Sequence, residues 1–265
     1  MDKAADKKNA IITAIFAYAI ALVFIFGELG AFRLGLFGEG IQIYLVDSLF
    51  RLVFGIIGTF VLYKIYKERL KSLYTAKIPK ATWLWLIPIY AYFLSYLLDI
   101  PLVESVTTEY ALGFAAACLQ QITTGFYEET LFRGIIMSAF EKHFSEKKWR
   151  ISAVLTSGII FGMGHLFNFL FGSGNFGDGL VTVLFTTCWG MFVAAIYMVT
   201  GNLLFVMILH AIWDIVVRIP NYFTNIVANA GELGSYGEIV RTIIDPVILA
   251  VVAIVICIIY KPKEK

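Results

Sequence analysis

The chain has 265 residues, of which 60% are hydrophobic and only 15% charged, and its formal net charge is +2. That is more apolar surface than one soluble core can bury, so a soluble globular class is excluded and the implied solvent is lipid. The basic residues flank apolar runs and form no recognition motif, which excludes a nucleic-acid partner.

Apolar runs lie at 10–27, 41–63, 82–100, 111–140, 151–170, 179–199, 202–219 and 243–260. Most come close to the roughly 20 residues that cross a bilayer as helix, so the pattern predicts an all-α polytopic membrane protein of about eight transmembrane helices. The first run is too long for a removable signal peptide and lacks a small-residue cleavage pattern, so it reads as a retained anchor. With no linker, repeat or low-complexity tract, 1–265 reads as a single transmembrane helical domain.

Lys and Arg concentrate in loops that stay cytoplasmic. With eight spans, Lys3, Lys7 and Lys8, the loop from Lys64 to Lys80, the loop from Lys142 to Arg150, and Lys261, Lys263 and Lys265 all fall on one side. The other side holds Arg33, Arg218 and Arg241 among Asp99, Glu104, Glu109 and Asp178. Both termini are therefore expected to be cytoplasmic, in the plasma membrane if the source is prokaryotic. The Gly-rich 171–179 and the longer 221–238 read as extracytoplasmic loops, the latter as a mobile cap. Trp83, Trp85 and Tyr260 suit interfacial anchors, and Cys118, Cys188 and Cys257, all within apolar runs, read as free thiols.

Ionisable groups inside spans cost several kcal/mol unless paired or hydrated, so each needs an explanation. The fourth run holds the densest group, YEETLFR at 127–133. Glu129 and Arg133, four apart, share a helix face and suit an ion pair. Glu128 points about 100° away and is left unpaired, and an unpaired carboxyl in an apolar surround meets the condition for a general base or acid. The fifth run carries FGMGH ending at His165, and the seventh has His210 with Asp214 one turn on. Measured from the cytoplasmic span ends, Glu128 lies about 18–20 Å deep, His165 about 21 Å, His210 about 12 Å and Asp214 about 18 Å.

Such a layer can activate water, with Glu128 as base and the imidazoles orienting the water or the oxyanion. The same groups, Glu128, His165 and His210, could instead ligate zinc, although no H-E-x-x-H is present. Asp47 and Arg51, four apart in the second run, read as a structural tie, and His143 as a solvated loop residue. An intramembrane proton relay in a transporter is the remaining chemistry for such residues, but no inverted repeat supports it.

Three spaced motifs in order, E-E-x-x-x-R (Glu128, Glu129, Arg133), F-x-x-x-H (Phe161, His165) and H-x-x-x-D (His210, Asp214), resemble the CPBP family of intramembrane proteases. This family, also called Abi, includes Rce1-type enzymes that trim prenylated CaaX proteins and bacterial members linked to bacteriocin processing and immunity. The resemblance covers about 115–225 and implies an intramembrane endopeptidase acting on a peptide or a membrane-anchored protein, with a catalytic cavity open to the cytoplasm. It implies that Glu128 activates water and that His165 and His210 position the water and the oxyanion. Asp214 stands where members carry Asn or Asp, while Glu129, Arg133 and Phe161 support the site. It further implies a metal-free mechanism with no cofactor, zinc being the alternative. The competing function is a non-catalytic membrane immunity or scaffold protein that keeps the protease fold.

Overall fold

The computed structural model describes Gly40 to Leu98 apart from 68–69, Thr107 to Phe171, Phe176 to Thr224 and Ile243 to Tyr260, with isolated positions between 12 and 38; some side chains within these bounds are also outside the description. Much of the expected span 10–27, most of the cap 221–238, residues 172–175 of the loop 171–179, the terminal lysines, and Arg33, Asp99, Glu104, Arg241 and the Asp178 side chain lie outside the described residues; the described ends of the two expected loops, 176–179 and 221–224, are helical rather than loop.

Among the described residues all regular structure is helical, with no strand. Helix α1 is Ile41–Tyr66, followed by the short α2, Leu70–Thr75. The expected span 82–100 is divided into α3, Thr82–Trp85, and α4, Ile87–Leu98. Pro88 sits in the first turn of α4, where its missing N–H breaks no ladder. Helix α5, Thr108–Glu129, starts at Thr107, whose hydroxyl accepts from the Tyr110 N–H. The remaining long helices are α6, Lys147–Phe171; α7, Phe176–Thr200; α8, Leu203–Thr224; and α9, Asp245–Ile259.

The run expected as one helix over 111–140 changes character part-way. After Glu129 it widens into a π-helical segment, Thr130–Met137, before closing with Ser138–Phe140. The Thr130 hydroxyl donates back to the Phe126 carbonyl at 2.6 Å, which competes with the α ladder where the widening starts. Helix α7 ends at Gly201, whose φ of 60° is open to glycine at little cost. Asn202 then caps α8, its Oδ1 accepting from the Phe205 N–H at 2.9 Å while its amide donates to the Ala76 carbonyl at 2.7 Å.

Helix α5 packs against both α1 and α8, while α6 and α9 flank α7. Two of these contacts depend on glycine. A Cβ on Gly158 of α6 would stand 2.8 Å from both the Met191 nitrogen and the Thr187 oxygen of α7, and one on Gly162 would stand 2.9 Å from the Val183 oxygen. Gly158-x-x-x-Gly162 thus brings two backbones together in the way small-residue stripes do in lipid. A Cβ on Gly125 of α5 would meet the Met207 oxygen of α8 at 2.6 Å. That approach carries Glu128 and Glu129 to the face of α8 that bears His210.

Ile41–Ile65 and Gly179–Thr200 are long and apolar enough to cross a membrane. On α1 the polar residues Asp47 and Ser48 are buried, while Leu49, Ile56 and Phe60 are exposed. This is the reverse of a soluble helix and fits a lipid-facing surface. Arg150, counted above as a loop charge, is instead buried. Its Nε donates to the Cys257 carbonyl at 2.9 Å near the C-terminus of α9, and its Nη1 to the carbonyls of Phe144 and Ser145 at 2.7 and 3.1 Å. His143 packs on the Trp149 ring at 5.2 Å, so it is more than a solvated loop residue. All three cysteines are free, with Cys188 and Cys257 buried.

Candidate active site

Three helices bring the expected ionisable residues together. Glu129 and Arg133 form the anticipated pair, Arg133 Nη1 donating to Glu129 Oε1 at 2.8 Å, and neither side chain has any exposed surface. Arg133 Nη2 also donates to the Gly190 carbonyl of α7 at 2.9 Å, and its guanidinium lies 4.8 Å over the Phe161 ring. One arginine therefore ties the π segment to both α6 and α7.

Glu129 has a second partner that periodicity does not reveal. His210 Nδ1 lies 2.7 Å from the same Oε1. A carboxylate can only accept, so Nδ1 carries the hydrogen and Nε2 is presented to the other side. There Nε2 lies 3.7 Å from Glu128 Oε2 and 3.6 Å from Asp214 Oδ2. Both gaps are longer than a direct hydrogen bond, and one water beside them reaches both atoms. Glu128 retains 13% of its side-chain exposure and Asp214 23%, whereas Glu129 has none. The accessible carboxylates thus face the site, and the sealed one anchors the imidazole.

His165 enters through Phe161. Its Nδ1 donates to the Phe161 carbonyl at 3.1 Å, which leaves Nε2 as the other polar atom of the ring. The Phe161 ring centroid lies 5.0 Å from His165 and 5.8 Å from His210, so one aromatic side chain spaces the two imidazoles. Trp189 meets His210 edge-on at 5.9 Å and stacks on Trp213 at 4.1 Å, which in turn stacks on Tyr92 at 4.4 Å. These rings wall the inner side of His210.

Two expectations need correction. Glu128 is not without a partner, because Arg51 Nη1 from α1 lies 3.8 Å from its Oε1. The Asp47–Arg51 tie does form, Arg51 Nε donating to Asp47 Oδ2 at 2.8 Å, yet it abuts the site rather than lying apart from it. The cause is the packing of α1 on α5 and on the π segment that continues it, where a Cβ on Gly58 would stand 3.1 Å from Thr130 Cγ2. The signal in the sequence was Arg51 itself, an ionisable residue within an apolar run. The set named for zinc was Glu128, His165 and His210; among the described residues no three His, Cys, Asp or Glu side chains are grouped to hold a metal ion.

Residues 110–216 match the family model described as type II CAAX prenyl endopeptidase Rce1-like. The matched segment runs from the start of α5 into α8 and contains all seven residues of the three motifs. It agrees with the CPBP resemblance and supports a CAAX-type intramembrane protease kind of function, with a membrane-associated protein or peptide as substrate. No curated protein and no solved structure matches the chain.

Proposed function

We propose, from the Rce1-like match over 110–216, that this chain is a glutamate-dependent intramembrane endopeptidase cutting near the end of a membrane-anchored protein or peptide. The observation that carries the proposal is the order Glu128, His210, Glu129: an accessible carboxylate 3.7 Å from an imidazole whose far nitrogen is held at 2.7 Å by a sealed one.

In this mechanism a water sits between Glu128 Oε2 and His210 Nε2. Glu128 takes one of its protons as the water oxygen bonds to the substrate carbonyl carbon. His165 and His210 position the water at Nε2 and, when doubly protonated, donate from that atom to the oxyanion that forms, and Asp214 steadies the charge on His210 from the second side. The carbon–nitrogen bond then breaks and the proton held by Glu128 passes to the departing amine. Glu129 and Arg133 keep the imidazole in the tautomer and orientation this needs, the role a buried carboxylate plays behind a catalytic histidine. No step uses a metal.

Eight spans with both termini in the cytoplasm complete the proposal. The positive flank of Lys64, Lys71, Lys77, Lys147 and Lys148 supports that orientation.

The test is cleavage of prenylated and unprenylated C-terminal peptides by purified protein in liposomes. Wild type is expected to cut, and Glu128→Ala and His210→Ala are expected to be inactive while remaining folded. Equal cleavage by all three would refute the assignment. No cleavage by any, with the wild-type phenotype retained in Glu128→Gln cells, would favour the non-catalytic immunity or scaffold function.

A further inference from the structure

We propose that Arg51, held by Asp47, which Gln120 braces in turn, is a positioning residue for Glu128 that turns one carboxylate oxygen away and the other onto the water site. The inference rests on the endopeptidase reading of the same site. Arg51 lies outside the matched segment 110–216, on a helix that none of the three motifs touches.

The two oxygens of Glu128 have different neighbours. Oε1 faces Arg51 Nη1 at 3.8 Å and Oε2 faces His210 Nε2 at 3.7 Å. A carboxylate turns about its last torsion with little preference, so a free Glu128 would present either oxygen, or neither, to a water held at His210. A fixed cation on one side removes that freedom, and Arg51 is itself fixed. Its Nε donates to Asp47 Oδ2 at 2.8 Å, and Asp47 Oδ2 accepts in turn from Gln120 Nε2. Gln120 stands on α5, the helix that carries Glu128, and is held by Gln121, whose Nε2 donates to Gln120 Oε1 at 2.8 Å.

The polar contacts therefore run from α5 through Asp47 and Arg51 of α1 and back to Glu128 on α5. This loop fixes the guanidinium relative to the very helix whose side chain it orients. A tie between α1 and α5 alone would need only Asp47 and Gln120. The placement of Arg51 Nη1 toward Glu128, with 16% of the arginine side chain still exposed beside a 13%-exposed carboxylate, is the feature such a tie leaves unexplained. Arg51 acts through Glu128 and does not touch the reacting atoms. Misplacement of a reacting group by about 1 Å costs about a hundredfold in rate, which sets the size of the effect.

The experiment measures kcat and KM of full-length protein in liposomes for wild type, Arg51→Lys, Arg51→Gln, Asp47→Asn, Asp47→Asn/Arg51→Gln and Glu128→Ala, with thermal unfolding of each. Arg51→Gln is expected to lower kcat by about tenfold to a hundredfold with KM changed by less than about threefold. Arg51→Lys should recover part of that loss, because a cation remains on the Oε1 side. Asp47→Asn should also lower kcat, and the double variant should be no worse than Arg51→Gln, since both changes break one clamp. Wild-type kcat in a folded Arg51→Gln, or a KM rise with kcat unchanged, would overturn the proposal; the second result would make Arg51 a substrate contact. If Arg51→Gln does not fold, Arg51→Lys and Asp47→Asn decide together, and wild-type kcat in both overturns the proposal. Wild-type activity in Glu128→Ala would instead refute the endopeptidase site itself.

Discussion

Replacing Glu129 by Gln separates the two jobs of the sealed carboxylate. The change keeps shape but removes the charge that faces Arg133 Nη1 at 2.8 Å and His210 Nδ1 at 2.7 Å, with no exposed surface on Glu129 or Arg133. A guanidinium left buried without its counter-charge costs about 3–5 kcal/mol, so the thermal midpoint should fall steeply. The amide can also offer His210 the wrong partner by presenting its NH2, and loss of the correct tautomer behind a catalytic histidine lowers kcat by on the order of 10⁴. Glu129→Leu/Arg133→Met removes both charges. Much of the stability should return, because apolar replacement of a buried ion pair is often near neutral, offset by about 1–3 kcal/mol for each of the Gly190 carbonyl and His210 Nδ1 left unpaired. Activity should not return, since nothing then holds the imidazole. The assays are intrinsic-fluorescence unfolding in detergent and peptide cleavage in liposomes. Wild-type kcat in Glu129→Gln, or activity restored in the double variant, would refute the orienting role.

Other outcomes follow from the same contacts. Asp214→Leu should lower kcat by on the order of 10²-fold and Asp214→Asn by much less, because only the second keeps a polar group near His210 Nε2; equal loss in both would tie the effect to the charge. Arg150→Met breaks donations to three carbonyls and should destabilise by about 1–3 kcal/mol, read as a lower unfolding temperature, while kcat per folded molecule stays unchanged. Gly158→Val forces a side chain against the α7 backbone, 2.8 Å from Thr187 O, and should cost about 1–3 kcal/mol or prevent assembly of α6 on α7, measured by unfolding or by protease sensitivity. A strong chelator should leave cleavage unchanged; loss that zinc restores would replace the water-activation mechanism by a metal one.

Features within one helix were legible in the sequence. The spacing of Glu129 and Arg133 announced their pair, and the seven later apolar runs each match helix. The comparable depth of Glu128, His165, His210 and Asp214 suggested one layer; His210 Nε2 does lie 3.7 Å from Glu128 and 3.6 Å from Asp214, and His165 joins them through the Phe161 ring. Features between helices were not legible. A helix in lipid is apolar on its outer face as well as its inner one, so periodicity does not say which way it is rotated. Hence Arg51 read as a local tie and Glu129 as a partner of Arg133 only, while the rotation of α1 and α8 decides their contacts with Glu128 and His210. The π segment was hidden because Thr130–Met137 has ordinary helix-compatible composition. The break between α3 and α4 did have a signal, Pro88, one residue into the second helix.

The proposed division of labour makes Glu128, and not Glu129, the group that takes the proton from water. It is tested most directly by cleavage of one C-terminal peptide in liposomes by wild type and Glu128→Gln matched for unfolding temperature. Glu128→Gln keeps the side-chain shape and a polar atom toward Arg51 and His210 but has no carboxylate to accept a proton from water. Loss of turnover with folding and peptide binding intact is the expected result, and turnover near wild type would rule out Glu128 as the base.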